Sequence, residues 1–154
     1  MLGKEPEGRA PRAWVPACSS GEEAYSLSIV FKEALEALKP NKRISLQIYA
    51  TDIDPDAIDK ARKGVYPKNI AADVAPQWLK KYFVADESGG YRISKQIREM
   101  VIFAPHNVIS DPPFIKLDIL TCRNLLIYFS AQLQKKLLPL FHYALNRDGI
   151  LLLG

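Results

Sequence analysis

Ala17-Cys18-Ser19-Ser20-Gly21-Glu22-Glu23 separates the apolar run Ala13-Trp14-Val15 from a long amphipathic stretch. Strand, tight small-residue turn, helix is the order found at the entrance to a nucleotide-type cofactor site in an α/β fold. A phosphate site would keep the helix start free of negative charge. Here the turn runs straight into Glu22 and Glu23, which repel an anion. The pocket is therefore expected to suit a ligand with cationic or hydroxyl groups.

Outward from this turn, strand and helix signals alternate. Residues 13–17 read as a first strand. Residues 21–38 read as a helix, with Leu27, Val30, Phe31, Ala34, Leu35 and Leu38 recurring at helical spacing and Ser20 with Glu23 as a capping box. Pro40-Asn41 ends it. Residues 44–50 form a second strand, and Asp54-Pro55 opens a second helix reaching about Arg62. Residues 76–83 suit a short helix. Gly89-Gly90 and the apolar residues after it predict a hairpin or paired strands near 91–104. Residues 117–121 form a buried strand, and 130–145 a helix with Leu133, Leu137, Leu140, Phe141 and Leu145 on one face. A final strand begins at Gly149. This alternation predicts an α/β fold with a doubly wound, mostly parallel sheet. The expected organisation is a flexible segment over 1–12 and one cofactor-binding domain over 13–154. Sheets of this kind continue beyond the final strand read here, so a C-terminally truncated piece of a longer protein is expected.

Bulk properties agree with one domain. The chain has 154 residues, 48% of them hydrophobic, with a net charge of +4. It contains no run of 18 apolar residues, so no membrane insertion is expected. The basic residues Lys60, Arg62, Lys63, Lys80, Lys81, Lys135 and Lys136 are dispersed on helices. That is the pattern of a solvated face, not of a nucleic-acid footprint. Cys18 and Cys122 read as free thiols, and the two His and two Cys lack metal-ligand spacing.

Ligands of open α/β sheets bind at the carboxyl ends of the strands. Four polar clusters fall there: Ser19, Ser20, Gly21 and Glu22; Thr51, Asp52, Ile53 and Asp54; Pro105, His106, Asn107 and Val108; Cys122, Arg123 and Asn124. Asp52 fits two roles, binding the two hydroxyls of a ribose or capping the next helix. Capping suits Asp54 better. Gly21 and Asp52 stand about 30 residues apart, more than the ~20 of a dinucleotide fingerprint. Glu22 fits either the site or a helix first turn. His106 reads as structural. Tyr128 is either a core aromatic beside Phe129 or a hydroxyl facing the cleft.

The motifs ACSSGEEAYS, YATDID, HNV and CRNLLIYF, in this order, resemble the CheR-type chemotaxis receptor methyltransferases. The likeness runs from about Trp14 to Gly154. YPKNIAADV, FAPHNVISDPPF and LLPLFHYAL are more similar still to the methyltransferase region of hybrid proteins, where it is fused to a methylesterase-like domain and sensor modules. The resemblance implies a Rossmann-like S-adenosylmethionine-dependent fold. It implies methyl transfer to glutamate side chains of chemoreceptors or related signalling proteins with acidic methylation sites, in the cytoplasm, with S-adenosylhomocysteine as product. Family cofactor contacts fall on Glu22, Asp52, Asn107, Val108, Cys122 and Arg123, with Ser20 and Asn124 beside them. Tyr128 and Arg123 match residues bordering the methyl-transfer site. The family further implies an N-terminal helical domain and, in later strands, a small β-subdomain. Two other functions compete. One is a non-catalytic cofactor-binding or interaction module of a hybrid sensory protein. The other is a nicotinamide-dependent oxidoreductase, against which the missing G-x-G-x-x-G counts.

Overall fold

The computed structural model describes residues 10–38, 44–123 and 125–153. Its elements in chain order are β1 (Arg12–Pro16), α1 (Glu22–Leu38), β2 (Gln47–Asp52), α2 (Pro55–Lys63), β3 (Val65–Tyr66), α3 (Pro76–Tyr82), β4 (Phe83–Ala85), β5 (Tyr91–Ile93), α4 (Lys95–Arg98), β6 (Val101–Pro105), β7 (Leu117–Cys122), α5 (Ala131–Ala144) and β8 (Leu145–Leu153). Five strands form the main sheet in the order β6-β2-β1-β7-β8. Every neighbouring pair in it is parallel.

Alternation along β1 decides which layer each side chain joins, because successive strand residues point to opposite faces. Ala13 and Val15 pack with Ala24, Tyr25 and Ile29 of α1 and with Ile58 and Ala61 of α2. Trp14 packs on the other face with Leu137, Phe141 and Ala144 of α5. The sheet is thus covered on both sides, and the predicted doubly wound architecture is observed. β7 is buried along its whole length, as expected of a parallel strand between two helical layers.

Several local expectations change. The α1 residues that bury are Ala24, Tyr25, Ser28, Ile29 and Phe31, while Val30 and Leu38 are exposed. Ser28 is polar yet fully buried because its hydroxyl donates to the Ala24 carbonyl oxygen (2.9 Å) within the helix. The capping box does not form. The Tyr25 N–H reaches the Gly21 carbonyl (3.0 Å), which puts the cap at Gly21. Glu23 instead accepts from the Thr121 hydroxyl at the end of β7 (3.1 Å). Asp54 caps α2 as expected, accepting from the Asp56 N–H (2.9 Å). The strands near 91–104 are no hairpin. One helical turn, α4, separates them and sends them to different sheets. β5 joins β3 and β4 in a three-stranded antiparallel sheet, order β3-β5-β4, while β6 runs parallel to β2. A small β-unit therefore stands inside the chain between α2 and β6. β8 starts at Leu145, with a register shift against β7 that absorbs the polar residues before Gly149. Asn146 in that irregular part donates to Asp118 (3.0 Å).

Residues 1–9, most of the segment read as flexible, and Pro40-Asn41 lie outside the described residues. Pro11 and Arg12 are held at the sheet, through bonds from the Gln47 N–H to the Pro11 carbonyl (3.0 Å) and from the Arg12 N–H to Asp118 (2.8 Å). Among the described residues no helix is long and apolar enough to cross a membrane.

Candidate cofactor site

Since all five main strands are parallel, their carboxyl ends share one edge of the sheet, and the predicted clusters meet there. A cleft of about 200 Å³ opens at this edge, lined by Thr51, Asp52, Ile53, Asn107, Val108 and Phe129 among others. Three of the predicted contacts, Asp52, Asn107 and Val108, share it.

Asp52 is fixed by backbone groups on both sides. One carboxylate oxygen accepts the Ser19 N–H (2.9 Å) and the other the Asp54 N–H (2.9 Å). A carboxylate offers about four acceptor sites, so each oxygen keeps a lone pair for a ligand hydroxyl. Asn107 spends its side-chain oxygen on its own loop, accepting from the Ile109 (2.9 Å) and Ser110 (3.2 Å) N–H groups. Its side-chain NH2 is the donor left for a ligand. Val108, Ile53 and Phe129 supply apolar walls suited to a flat ring.

The remaining predicted residues are distributed differently. The Ser20 hydroxyl hydrogen-bonds Glu22. Glu22 lines a second cleft, of about 290 Å³, between α1 and the segment that carries Tyr66, Ile70 and Trp78. Cys122 is fully buried in the layer facing α5, so its side chain does not line the cofactor cleft. Arg123 is exposed directly after β7. Tyr128 sits in the 3-10 turn Leu126–Tyr128 and is 78% exposed, which rules out a core role. Asn124 lies outside the described residues. His106 lines the cleft, its Nε2 donates to the Pro112 carbonyl oxygen (2.8 Å), and its ring meets Trp14 edge-on.

The turn itself is conformationally constrained. Ala17 and Ser19 both have positive φ, 56° and 53°, and Gly21 has 94°. Left-handed backbone is rare for non-glycine residues and persists only where surroundings enforce it. At Gly21 a side chain would also collide with α2, because a Cβ would lie 2.9 Å from that of Ala61.

Both cysteines are free and buried. They face opposite layers of the sheet, so they cannot pair. Burial, reinforced by the negative charges of Asp52, Glu22 and Glu23, pushes the Cys18 thiol up to about 12. Burial, then Glu23, pushes Cys122 up to about 11. These thiols are protonated at neutral pH and are not nucleophiles. Asp52, Glu22 and Glu23 together make the surroundings of the Cys18 thiol negative. Linkage gives a testable sign. Below about pH 8.5 the folded and unfolded thiols both hold their protons; above it only the folded ones do. Stability is therefore expected to fall as pH rises from about 8.5 toward 11–12, by up to ~1.4 kcal/mol per pH unit for each thiol. Urea midpoints between pH 8 and 10 check this. A midpoint that holds steady, or one whose fall survives replacement of both cysteines by alanine, contradicts it.

The sequence pattern described as CheR methyltransferase, SAM binding domain, matches residues 2–154. The chain belongs to the CheR family. S-adenosylmethionine is accordingly its cofactor, and the nicotinamide alternative falls away. Chemotaxis protein methyltransferase of Borreliella burgdorferi is 34% identical over 146 residues, covering 93% of this chain and 50% of that protein. Chemotaxis protein methyltransferase 1 of Pseudomonas aeruginosa is 34% identical over 149 residues, 96% of this chain and 54% of that one. An uncharacterized 104.1 kDa protein in the hypE 3′ region of Rhodobacter capsulatus is 41% identical over 154 residues, 100% of this chain and 16% of that protein. The chain thus spans about half the length of the two chemotaxis methyltransferases and a small part of the third relative. Solved structures agree on the fold. The S-adenosylmethionine-dependent methyltransferase SibL in its apo form superposes with a TM-score of 0.58 at 18% identity, covering 99% of this chain and 33% of that one. The glycopeptide N-methyltransferase MtfA complexed with S-adenosylmethionine gives 0.56 at 9% identity, covering 96% and 45%.

Proposed function

We propose that this domain transfers a methyl group from S-adenosylmethionine to glutamate side-chain carboxylates of chemoreceptors or related signalling proteins, in the cytoplasm, forming glutamyl methyl esters. The observation that carries the cofactor side is Asp52. It is a carboxylate fixed at the end of β2 by two backbone N–H groups, beside an apolar cleft and a turn whose charges are negative. In this reading Asp52 accepts the ribose hydroxyls, and Asn107 and Val108 border the adenine. Ser20 and Glu22 face the cationic amino-acid end. Cys122 borders the site from the end of β7 through its backbone, and Asn124 is kept as a contact on the family resemblance alone.

When bound, the cofactor supplies an electrophilic methyl carbon on a positively charged sulfur. The acceptor carboxylate is already ionised at neutral pH, with an ordinary pKa of about 4.3, so no general base is required. The transfer that this site would support joins the methyl carbon to a carboxylate oxygen as the carbon–sulfur bond breaks and leaves its electron pair on sulfur. The protein's work is alignment and exclusion of water. Arg123 neutralises and orients the incoming carboxylate, and the Tyr128 hydroxyl holds it by a hydrogen bond. The exposure of both side chains suits groups that meet a macromolecular substrate. The receptor substrate is supported by the chemotaxis methyltransferase names of the relatives. The rival reading is a non-catalytic binding module of a longer hybrid sensory protein. The 104.1 kDa relative, of which this chain covers 16%, bears on length alone.

Transfer of labelled methyl to receptor fragments separates the two. The protein is assayed alone and joined to the flanking regions of a longer relative. Base-labile label on glutamate is expected, and Tyr128→Phe is expected to lower turnover about tenfold or more with cofactor affinity unchanged, the equivalent of losing one hydrogen bond to a charged group. Cofactor binding with no transfer in either form supports the rival, and full turnover in Tyr128→Phe removes the tyrosine from the mechanism.

A further inference from the structure

Tyr66 belongs to none of the strand-end clusters, yet it reaches the cofactor turn. It lies on β3, in the inserted sheet, and its hydroxyl donates to the Ser20 carbonyl oxygen (2.8 Å) across 46 positions of sequence. We infer that Tyr66 is a positioning residue, holding the Ser20-Gly21-Glu22 half of the turn so that Ser20 and Glu22 stand where the cofactor's amino-acid end binds. This rests on the cofactor reading above and adds a residue to it.

The strain in the turn explains the need for such a restraint. Positive φ recurs at Ala17, Ser19 and Gly21, a path the chain leaves readily unless held. β2 holds its first half, with the Cys18 N–H bonded to the Thr51 carbonyl (2.8 Å) and the Ser19 N–H to Asp52 (2.9 Å). The second half is reached from the inserted sheet by Tyr66. Tyr66 is itself aimed by a rigid surround. The left-handed Gly64 (φ 63°) closes α2 two residues earlier, and any side chain there would strike Ile93, with a Cβ 2.5 Å from its Cγ2. Gly90 on the partner side lets the backbone approach so closely that a Cβ would lie 2.0 Å from the Tyr66 carbonyl oxygen. The ring meets Tyr25 edge-on at 6.2 Å, and Tyr25 is anchored to the Ala61 carbonyl of α2 (2.5 Å). Tyr66 is 7% exposed and also walls the cleft that Glu22 lines. Burial, aided by the charge of Glu22, holds its phenol well above the usual tyrosine range, so it remains a donor throughout the range in which the protein works.

A pair of ligands tests the inference. S-adenosylhomocysteine carries the amino-acid end; 5′-methylthioadenosine carries the same adenosine and a thioether without it. Tyr66→Phe keeps the ring and removes the hydroxyl. It is expected to weaken S-adenosylhomocysteine about tenfold, roughly one hydrogen bond's worth, and 5′-methylthioadenosine less than about twofold. In a Glu22→Gln background, where the residue being positioned is already impaired, the same change is expected to add little. Equal losses for both ligands mean a general structural role and overturn the inference, as do unchanged affinities or full additivity with Glu22→Gln. Should Tyr66→Phe fail to fold, shown by a lost thermal transition, the role is structural and the inference falls. If the unaltered protein binds neither ligand, the cofactor reading itself fails, an outcome distinct from every other.

Discussion

Asp52→Ala is expected to weaken S-adenosylhomocysteine binding by at least about 100-fold in isothermal titration calorimetry, and to lower stability by about 1–3 kcal/mol. Two losses combine. A ribose presents two hydroxyls, and hydrogen bonds to a charged acceptor contribute about 1.5–3 kcal/mol each. The same oxygens also hold the N–H groups of Ser19 and Asp54. With the carboxylate gone, Ser19 has no acceptor fixing its left-handed conformation (φ 53°), and the turn that leads to Glu22 relaxes. Asp52→Asn separates the two effects. Its single carbonyl oxygen can still meet one backbone N–H but carries no charge, so its affinity is expected to lie between wild type and alanine. Binding by Asp52→Ala within about threefold of wild type would remove Asp52 from the site.

What the sequence disclosed follows from how local each signal is. Parallel strands put their carboxyl ends on one edge, so reading the strands was enough to bring Asp52, Asn107 and Val108 into one cleft. Asp54 was legible as a cap because an Asp-Pro start is a local event. The α5 face was legible because Leu137 and Phe141 repeat against a single layer. The α1 face was not. Val30 and Leu38 satisfy helical spacing, yet the helix turns Tyr25, Ser28 and Ile29 inward, and Ser28 hides its polarity in an internal bond. The inserted sheet escaped for another reason. Its strands are two or three residues long, too short for alternation to register. The turn at Gly89-Gly90 was visible while the partners of β5 were not. Glu23 read as a capping partner because Thr121, its actual partner, lies 98 residues away. Tyr66 likewise has no local signature. Its role exists only once the insert folds back on the turn.

The same reasoning makes Trp14→Ala the most damaging single substitution for stability, with an expected loss of about 3–5 kcal/mol against a total of about 5–15 for a domain of this kind. Trp14 is fully buried on the central strand of the sheet. Its ring meets Phe114 (5.3 Å), His106 (5.4 Å) and Phe141 (6.1 Å) edge-on, so one side chain braces β1 against both the His106 loop and α5. Its indole N–H donates to the buried Thr51 hydroxyl (2.9 Å), and Thr51, next to Asp52 in sequence, lines the cleft with it. Truncation to alanine therefore leaves a cavity under the cofactor site. Trp14→Phe keeps much of the volume and removes the donor, so it is expected to cost less, about 1–3 kcal/mol. In a Thr51→Val background, which also removes the acceptor, the further cost of Trp14→Phe is expected to shrink, because an orphaned buried partner costs more than an absent one. Denaturant unfolding monitored by circular dichroism measures the four variants against wild type. A loss below about 1.5 kcal/mol for Trp14→Ala would mean that the two helical layers hold without the ring between them, and would move the keystone of the fold away from β1.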